Sequence, residues 1–102
     1  MNYIIRLTDE AEADLKNIYT GISERASPAV AKGYVNRILG YLATFDLFPE
    51  RGSLRNEIRP GLRVVGFERR VSVAFVVEGG EVVVLRILYD GQQLNLDELG
   101  GA

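Results

Sequence analysis

The hydrophobic pattern of this chain changes once, near residue 50, and that change constrains the fold more than any other feature. Before it, apolar residues recur at the three- and four-residue spacing of helices that bury one face. After it, short β-branched runs alternate with glycine-containing turns, which is typical of strands joined by hairpins. A length of 102 residues suits one domain. We therefore predict a single α+β domain, 1–102, in which an N-terminal strand and a helix hairpin pack on a small antiparallel sheet.

The N-terminal half predicts a strand followed by two helices. Residues 1–7 are interpreted as the strand, and Thr8 is a good N-cap because its hydroxyl can accept from a backbone N–H of the first turn. The first helix is predicted over 8–25. A serine–proline pair opens the second, over 27–48, and Pro49 ends it. Since few residues separate the two helices, they should form an antiparallel hairpin.

The C-terminal half predicts a three-stranded antiparallel meander over 62–89. A loop with turn chemistry at both ends precedes it, over 49–61, and a polar tail follows it, over 90–102. The three predicted strands are 62–67, 71–77 and 82–89. The tail carries three leucines but no basic residue.

A glycine pair at 79–80 predicts the register of the last hairpin, because two glycines supply the positive φ values that a two-residue turn needs. The turn sets Val77 opposite Val82 and, further on, Val73 opposite Arg86. In this register both faces of the pair are apolar, but the helix hairpin can cover only one. The leucine-bearing tail, the chain's own loop or a partner protein must cover the other.

The sequence contains no cysteine and no histidine. Without cysteine there is no disulfide, zinc–thiolate site or thiol nucleophile. Without histidine the usual general base near neutral pH is missing, as is the commonest metal ligand. The acidic residues of the first helix offer no cation cage and are interpreted as helix-dipole partners and solvated surface. We therefore predict no cofactor and no metal.

The composition favours a cytoplasmic protein without membrane contact. No stretch approaches the roughly 20 apolar residues needed to span a bilayer. The first residues also lack the charged start and long apolar run of a signal peptide. We expect a cytoplasmic location.

Charge is distributed unevenly along the chain, although the net charge is only −2. Residues 51–86 hold seven Arg and four Glu, whereas residues 1–50 hold five Lys or Arg and seven Asp or Glu. Residues 87–102 hold three acids and no cation. The middle segment is therefore a candidate cationic surface, and the alternative is an ordinary solvated one.

The order of strand, helix hairpin, Pro-Gly loop and meander resembles the ParE/RelE toxin superfamily over about residues 3–89. Five segments are similar to the ParE-type branch: LTDEAEADL at 7–15, SPAVA at 27–31, FPERG at 48–52, RPGLR at 59–63 and VVLRIL at 83–88. The resemblance implies a toxin of the plasmid stabilisation type. It also implies a cognate ParD-like antitoxin that neutralises the toxin in a hetero-oligomer.

The resemblance implies different activities for the two branches, since ParE-type members are associated with DNA gyrase and RelE-type members cut mRNA on the ribosome. RelE-like nucleases resemble one another in carrying basic residues and a tyrosine just after the last strand. Here Asp-Gly-Gln-Gln follows Tyr89, and no Lys, Arg or Tyr comes later. The sequence therefore favours a gyrase inhibitor that acts by binding. We do not expect the chain alone to bind nucleic acid sequence-specifically.

Two alternatives stay open. One is a ribosome-dependent endoribonuclease, whose site would consist of Arg63, Arg70, Arg86 and Tyr89. The other is a degenerate member that no longer poisons a target and only binds its antitoxin. For the leading hypothesis, the predicted target- or antitoxin-binding residues are Arg59, Arg63, Arg69, Arg70, Arg86 and Tyr89.

Each of these residues also has a simpler interpretation. Arg86 lies among apolar neighbours and needs a partner, which an acid of the loop or tail such as Glu57 could provide. The turn arginines could be solvated. Tyr89 is a poor base at neutral pH, because the unperturbed pKa of tyrosine is about 10. Tyrosines of the helices, such as Tyr34, are most simply packing residues.

Overall fold

Two α-helices and five strands form the part of the chain that the computed structural model describes, residues 2–90. In chain order they are β1 (Ile4–Leu7), α1 (Asp9–Arg25), α2 (Pro28–Ala43), β2 (Ser53–Leu54), β3 (Arg63–Phe67), β4 (Val71–Glu78) and β5 (Glu81–Tyr89). The predicted α+β class is confirmed. Neither of the two helices is long and apolar enough to cross a membrane.

Both predicted helix starts are confirmed. The hydroxyl of Thr8 accepts a hydrogen bond from the backbone N–H of Ala11 at 3.1 Å. The hydroxyl of Ser27 accepts one from Val30 at the same distance. Each cap satisfies a donor that the first helical turn leaves without a partner.

The predicted extent of the second helix, 27–48, is wrong at its C-terminal end. The α-helix stops at Ala43, and a 3₁₀ turn, Thr44–Asp46, follows it. Arg51 donates hydrogen bonds to the carbonyls of Thr44 and Phe48, at 2.8 and 2.7 Å. These bonds give the two carbonyl groups a partner that is not a helical N–H. The chain can therefore leave the helix before Pro49, which the sequence predicts as its end.

The sheet is larger than the predicted meander and is mixed, with the order β1-β5-β4-β3-β2. β1 pairs in parallel with β5, from Ile4 opposite Glu81 to Leu7 opposite Val84. β2 lies within the segment 49–61 that was predicted as loop, and it pairs with the first two residues of β3. The predicted antiparallel meander is present as β3, β4 and β5, and the N-terminal strand adds a parallel edge that the sequence does not predict.

The predicted hairpin register is confirmed near the turn, where Val77 lies opposite Val82. It is wrong further along, because a β-bulge lies between Ala74 and Phe75 in the pairing. Arg86 lies opposite Ala74 and not opposite Val73. A bulge puts one extra residue on one strand and increases the local twist. Since both strands are apolar here, the alternation of the sequence carries no sign of it.

The main core lies between the helices and one face of the sheet. Its fully buried large side chains include Ile38, Leu42, Phe45, Phe75 and Ile87. A smaller cluster on the opposite face contains Leu62, Ala74, Val76 and Val83, with Ile58, Val64 and Leu85 packed against it. The loop before β3 thus helps to cover the second apolar face through Ile58. The predicted tail, 90–102, lies outside the described residues from residue 91 onward.

A carboxylate of α1 completes the edge of β5 where β1 no longer reaches it. β1 pairs with β5 as far as Val84, and Thr8 continues the contact by donating from its hydroxyl to the carbonyl of Leu85 at 2.9 Å. Beyond this point, Asp14 accepts a hydrogen bond from the backbone N–H of Ile87 at 2.8 Å. The carboxylate therefore takes the place of a strand partner for that N–H.

The same carboxylate binds the guanidinium of Arg86 with two hydrogen bonds, Nε to Oδ2 at 2.7 Å and Nη2 to Oδ1 at 2.9 Å. The two side chains are only 13% and 8% exposed. Glu57 was named as a possible partner of Arg86, but it pairs with Arg55. The interpretation of the α1 acids as solvated surface is wrong for Asp14, which is buried.

We predict that Asp14→Asn lowers the free energy of unfolding by about 3 kcal/mol, because a buried guanidinium loses the charge it faces. Arg86→Met should lower it by a similar amount. The double variant should cost less than the sum by at least about 1 kcal/mol, since the two residues share one interaction. Urea unfolding of the four proteins measures this. Asp9→Asn, the same change at an exposed position of α1, should cost at most about 1 kcal/mol. If the effects of the two single variants simply added in the double variant, the ion pair between Asp14 and Arg86 would be contradicted.

Gly52 lies against the backbone of β3, and this close approach leads to a second prediction. Its φ is +70°, and a β-carbon there would lie 2.2 Å from the carbonyl oxygen of Val64 and 2.8 Å from Cβ of Val65. We expect Gly52→Ala to destabilise the fold by about 2–4 kcal/mol, through backbone strain and overlap. Gly40→Ala, in the exposed part of α2 with nothing within 4 Å, should stabilise it by about 0.5–1 kcal/mol. Equal melting temperatures for the two variants would contradict this.

Candidate functional site

A groove of about 550 Å³ opens where the connection between the helices meets the C-terminal end of β5. Its lining combines three arginines, two tyrosines, one carboxylate and an aliphatic wall: Arg25, Arg37, Arg70, Tyr34, Tyr89, Asp90, Ile22, Ala26 and Val30. These residues come from α1, α2, the turn between β3 and β4, and the end of β5. The groove is therefore a product of the tertiary fold.

Two tyrosines form the aromatic part of the groove. The rings of Tyr34 and Tyr89 lie 5.9 Å apart between centroids at an angle of 77°, an edge-to-face arrangement. The guanidinium carbon of Arg37 lies 5.0 Å from the centroid of the Tyr34 ring, and that of Arg25 lies 5.9 Å from the centroid of Tyr89. Both distances are within the range of attraction between a cation and a ring face. Two guanidinium groups are thus held against the two rings.

Carboxylates hold two of the three groove arginines. Arg37 donates to Glu68 from Nε at 3.0 Å and from Nη2 at 3.2 Å. Arg70 donates from Nη1 to Asp90 at 3.1 Å. The hydrogen bond that Arg37 donates to Glu68 raises the pKa of Arg37 above its ordinary value, so its guanidinium stays charged. Both pairs are exposed, so salt screens them and they add little to stability.

Tyr34 is the neutral polar group of the groove. Burial raises the pKa of its hydroxyl, and the neighbouring Tyr89 raises it further. The hydroxyl oxygen is buried and has no hydrogen-bond partner within residues 2–90. A tyrosine with a raised pKa stays protonated at neutral pH and does not act as a general base. Tyr34 therefore offers the groove a neutral side chain and no proton acceptor at neutral pH.

Strained backbone surrounds the groove. Glu68, Arg69 and Asp90, at φ values of 49°, 66° and 55°, are the residues other than glycine that have positive φ in the described part of the chain. Hydrogen bonds hold this geometry, since Arg70 donates to the carbonyl of Glu68 and Asp90 donates to the carbonyl of Arg70, both at 2.7 Å. Such conformations cost energy and tend to occur at functional sites. Here they place two carboxylates at the rim of the groove.

The structure brings together only some of the predicted site residues. Arg70 and Tyr89 line the groove. Arg86 binds Asp14. Arg63 begins β3, at the opposite end from the turn that holds Arg70, and donates to the carbonyl of Arg51 at 3.4 Å.

The remaining two predicted residues lie in connections between strands. Arg59 lies in the loop before β3, and Arg69 is exposed in the turn after β3. The structure therefore places the six predicted residues in several locations and does not gather them into one cluster.

Sequence reasoning missed three residues of the groove. The sequence pattern predicts Tyr34 as a packing residue, and it does not single out Arg25 or Arg37. Two local signals existed: Arg25 ends α1, where a cation suits the helix dipole, and Arg37 follows Tyr34 at the three-residue spacing of helix neighbours. Neither signal tells which strand end the helices meet, and that contact creates the groove.

Comparisons with known proteins agree with the fold and with the ParE-type segments. The family model described as "ParE toxin of type II toxin-antitoxin system, parDE" matches residues 5–94. Toxin ParE3 of Caulobacter vibrioides is 33% identical over 100 residues, which cover 98% of this chain and 97% of that protein.

Two solved structures extend this agreement to three dimensions. A chain of the chromosomal ParDE TA system from P. aeruginosa superposes with a TM-score of 0.75 at 30% identity, covering 85% of this chain and 95% of that one. A chain of the toxin–antitoxin complex RelBE2 from Mycobacterium tuberculosis gives a TM-score of 0.53 at 19% identity over 87% of this chain and 99% of that one, and shows a shared fold. By its sequence and its fold, this chain belongs to the ParE toxin family of type II toxin–antitoxin systems.

Proposed function

We propose that this toxin acts in the cytoplasm by binding and inhibiting DNA gyrase, and that a cognate ParD-like antitoxin neutralises it in a hetero-oligomer. Membership of the ParE family supports the antitoxin partner, and the similar P. aeruginosa chain comes from a ParDE system. The gyrase target follows from the resemblance to the ParE-type branch.

The observation that carries this proposal is the dispersal of the residues that a nuclease would need. The alternative site requires four side chains around one scissile phosphate, to activate the 2′-hydroxyl, stabilise the phosphorane and protonate the leaving oxygen. Arg70 and Tyr89 lie together, but Arg63 lies at the other end of β3 and Arg86 is bound to Asp14. This arrangement favours inhibition by binding over RNA cleavage.

The predicted contact residues remain the arginines of the middle segment. Arg69 projects from the turn between β3 and β4 and is exposed, and Arg59 lies in the loop before β3. An exposed cation such as Arg69 steers the encounter with an acidic partner and adds specificity at the rim of an interface. We assign Arg59 and Arg69 to partner contact, with Arg70 and Tyr89 at the adjoining groove.

Induced expression without antitoxin should arrest growth, and the purified toxin should inhibit supercoiling by DNA gyrase. Co-expression of the protein encoded by the adjacent upstream reading frame should restore growth. Arg69→Gln should weaken gyrase inhibition by roughly three- to tenfold, since it removes a rim charge. Arg55→Gln is the matched control, because Arg55 is also exposed but pairs with Glu57.

Three results would separate the alternatives. Normal supercoiling together with in-frame mRNA cleavage that Arg86→Ala abolishes would replace the proposal with the nuclease. Harmless overexpression of correctly folded protein that still binds the antitoxin would identify a degenerate member. Growth arrest with intact mRNA and no effect on purified gyrase would retain the toxin and reject this target.

A further inference from the structure

The groove beside β5 contains more guanidinium donors than its own carboxylates engage. Arg25, Arg37 and Arg70 come from three different elements and line the same cavity. Within residues 2–90, Arg25 forms no salt bridge and contacts the Tyr89 ring. Arg70 uses one nitrogen on Asp90, although a guanidinium carries five N–H donors. The remaining donors are available to an anion that enters the groove.

The rest of the lining suits a flat or apolar group. The aliphatic side of the groove is formed by Ile22, Ala26 and Val30, and the rings of Tyr34 and Tyr89 stand next to it. A volume of about 550 Å³ lies within the range of small-molecule sites. A ligand that combines an anion with a ring would therefore use both parts of the lining.

The backbone at the rim of the groove also fits a ligand site. The strained backbone at Glu68 and Asp90 holds the carboxylates that pair with Arg37 and Arg70. Backbone strain of this kind persists where the surroundings impose it, often at ligand sites.

We propose that this groove binds a nucleoside phosphate, with the phosphate on Arg25 and Arg70 and the base against Tyr89 and the aliphatic wall. A phosphate suits several guanidinium forks at once, because it presents three oxygens, whereas a carboxylate presents two. A base is the flat group whose faces pack on aromatic rings and guanidinium planes. This site goes beyond gyrase inhibition and needs neither gyrase nor antitoxin.

Adenosine monophosphate is the first probe, titrated into the whole purified chain while NMR follows the rings of Tyr34 and Tyr89. Saturable shifts are expected at both rings. Adenosine and inorganic phosphate should each bind at least roughly tenfold more weakly, because each lacks one half of the ligand. A 5′-phosphorylated oligothymidylate tests the second source of the same chemistry. Preference for the oligonucleotide would mean a strand end, and preference for the monophosphate a free nucleotide.

Variants locate the site. Arg25→Gln and Arg70→Gln should each weaken binding of adenosine monophosphate by roughly tenfold or more, since each removes a charged donor to the phosphate. Asp90→Asn should strengthen it, because it removes a competing carboxylate at a position where asparagine tolerates the positive φ. Arg55→Gln changes the net charge equally outside the groove and should leave binding unchanged.

Three results would overturn the proposal. One is the absence of saturable shifts at Tyr34 and Tyr89 with every phosphate probe. Another is unchanged affinity in both Arg25→Gln and Arg70→Gln. The third is binding of a synthetic leucine–glutamate peptide in place of the nucleotide, which would make the groove a peptide site. Supercoiling assays are not involved, so failure here leaves the gyrase proposal standing.

Discussion

The position of α1 on β5 depends on one buried carboxylate. Asp14 binds the backbone of Ile87 and the side chain of Arg86. These contacts fix which residues of α1 and β5 face each other, as well as the distance between the two elements. Apolar contacts alone are not directional, whereas these hydrogen bonds are. Since Arg25 ends the same helix and Tyr89 ends the same strand, the geometry of the groove depends on this contact.

Much of the fold was predictable because it rests on local chemistry. Thr8 and Ser27 cap helices through bonds to residues three positions away, and two glycines form the last hairpin turn. The parts that failed rest on distant contacts. The parallel pairing of β1 joins strands far apart in sequence, and the bulge lies where both strands are apolar, so no pattern of alternation marks it.

The candidate site follows the same division. Arg70 and Tyr89 could be named from the sequence because each stands at the end of a strand, next to a turn. Arg25, Arg37 and Tyr34 could not, because helix periodicity indicates which face is buried but not which strand end that face meets. Arg86 was recognised as needing a partner, yet the partner lies 72 residues away on a helix whose acids resemble ordinary solvated surface.

The parallel pairing of β1 with β5 has a consequence for when the chain can fold. The first strand leaves the ribosome early, but its neighbour in the sheet, β5, is the last strand to be made among residues 2–90. The hydrogen bonds of Asp14 likewise cannot form before Arg86 and Ile87 have been made. A nascent chain therefore cannot complete this sheet, the buried ion pair or the groove until β5 has been made. Until then the chain can form its helix hairpin, but not the pairing that joins β1 to the rest of the sheet.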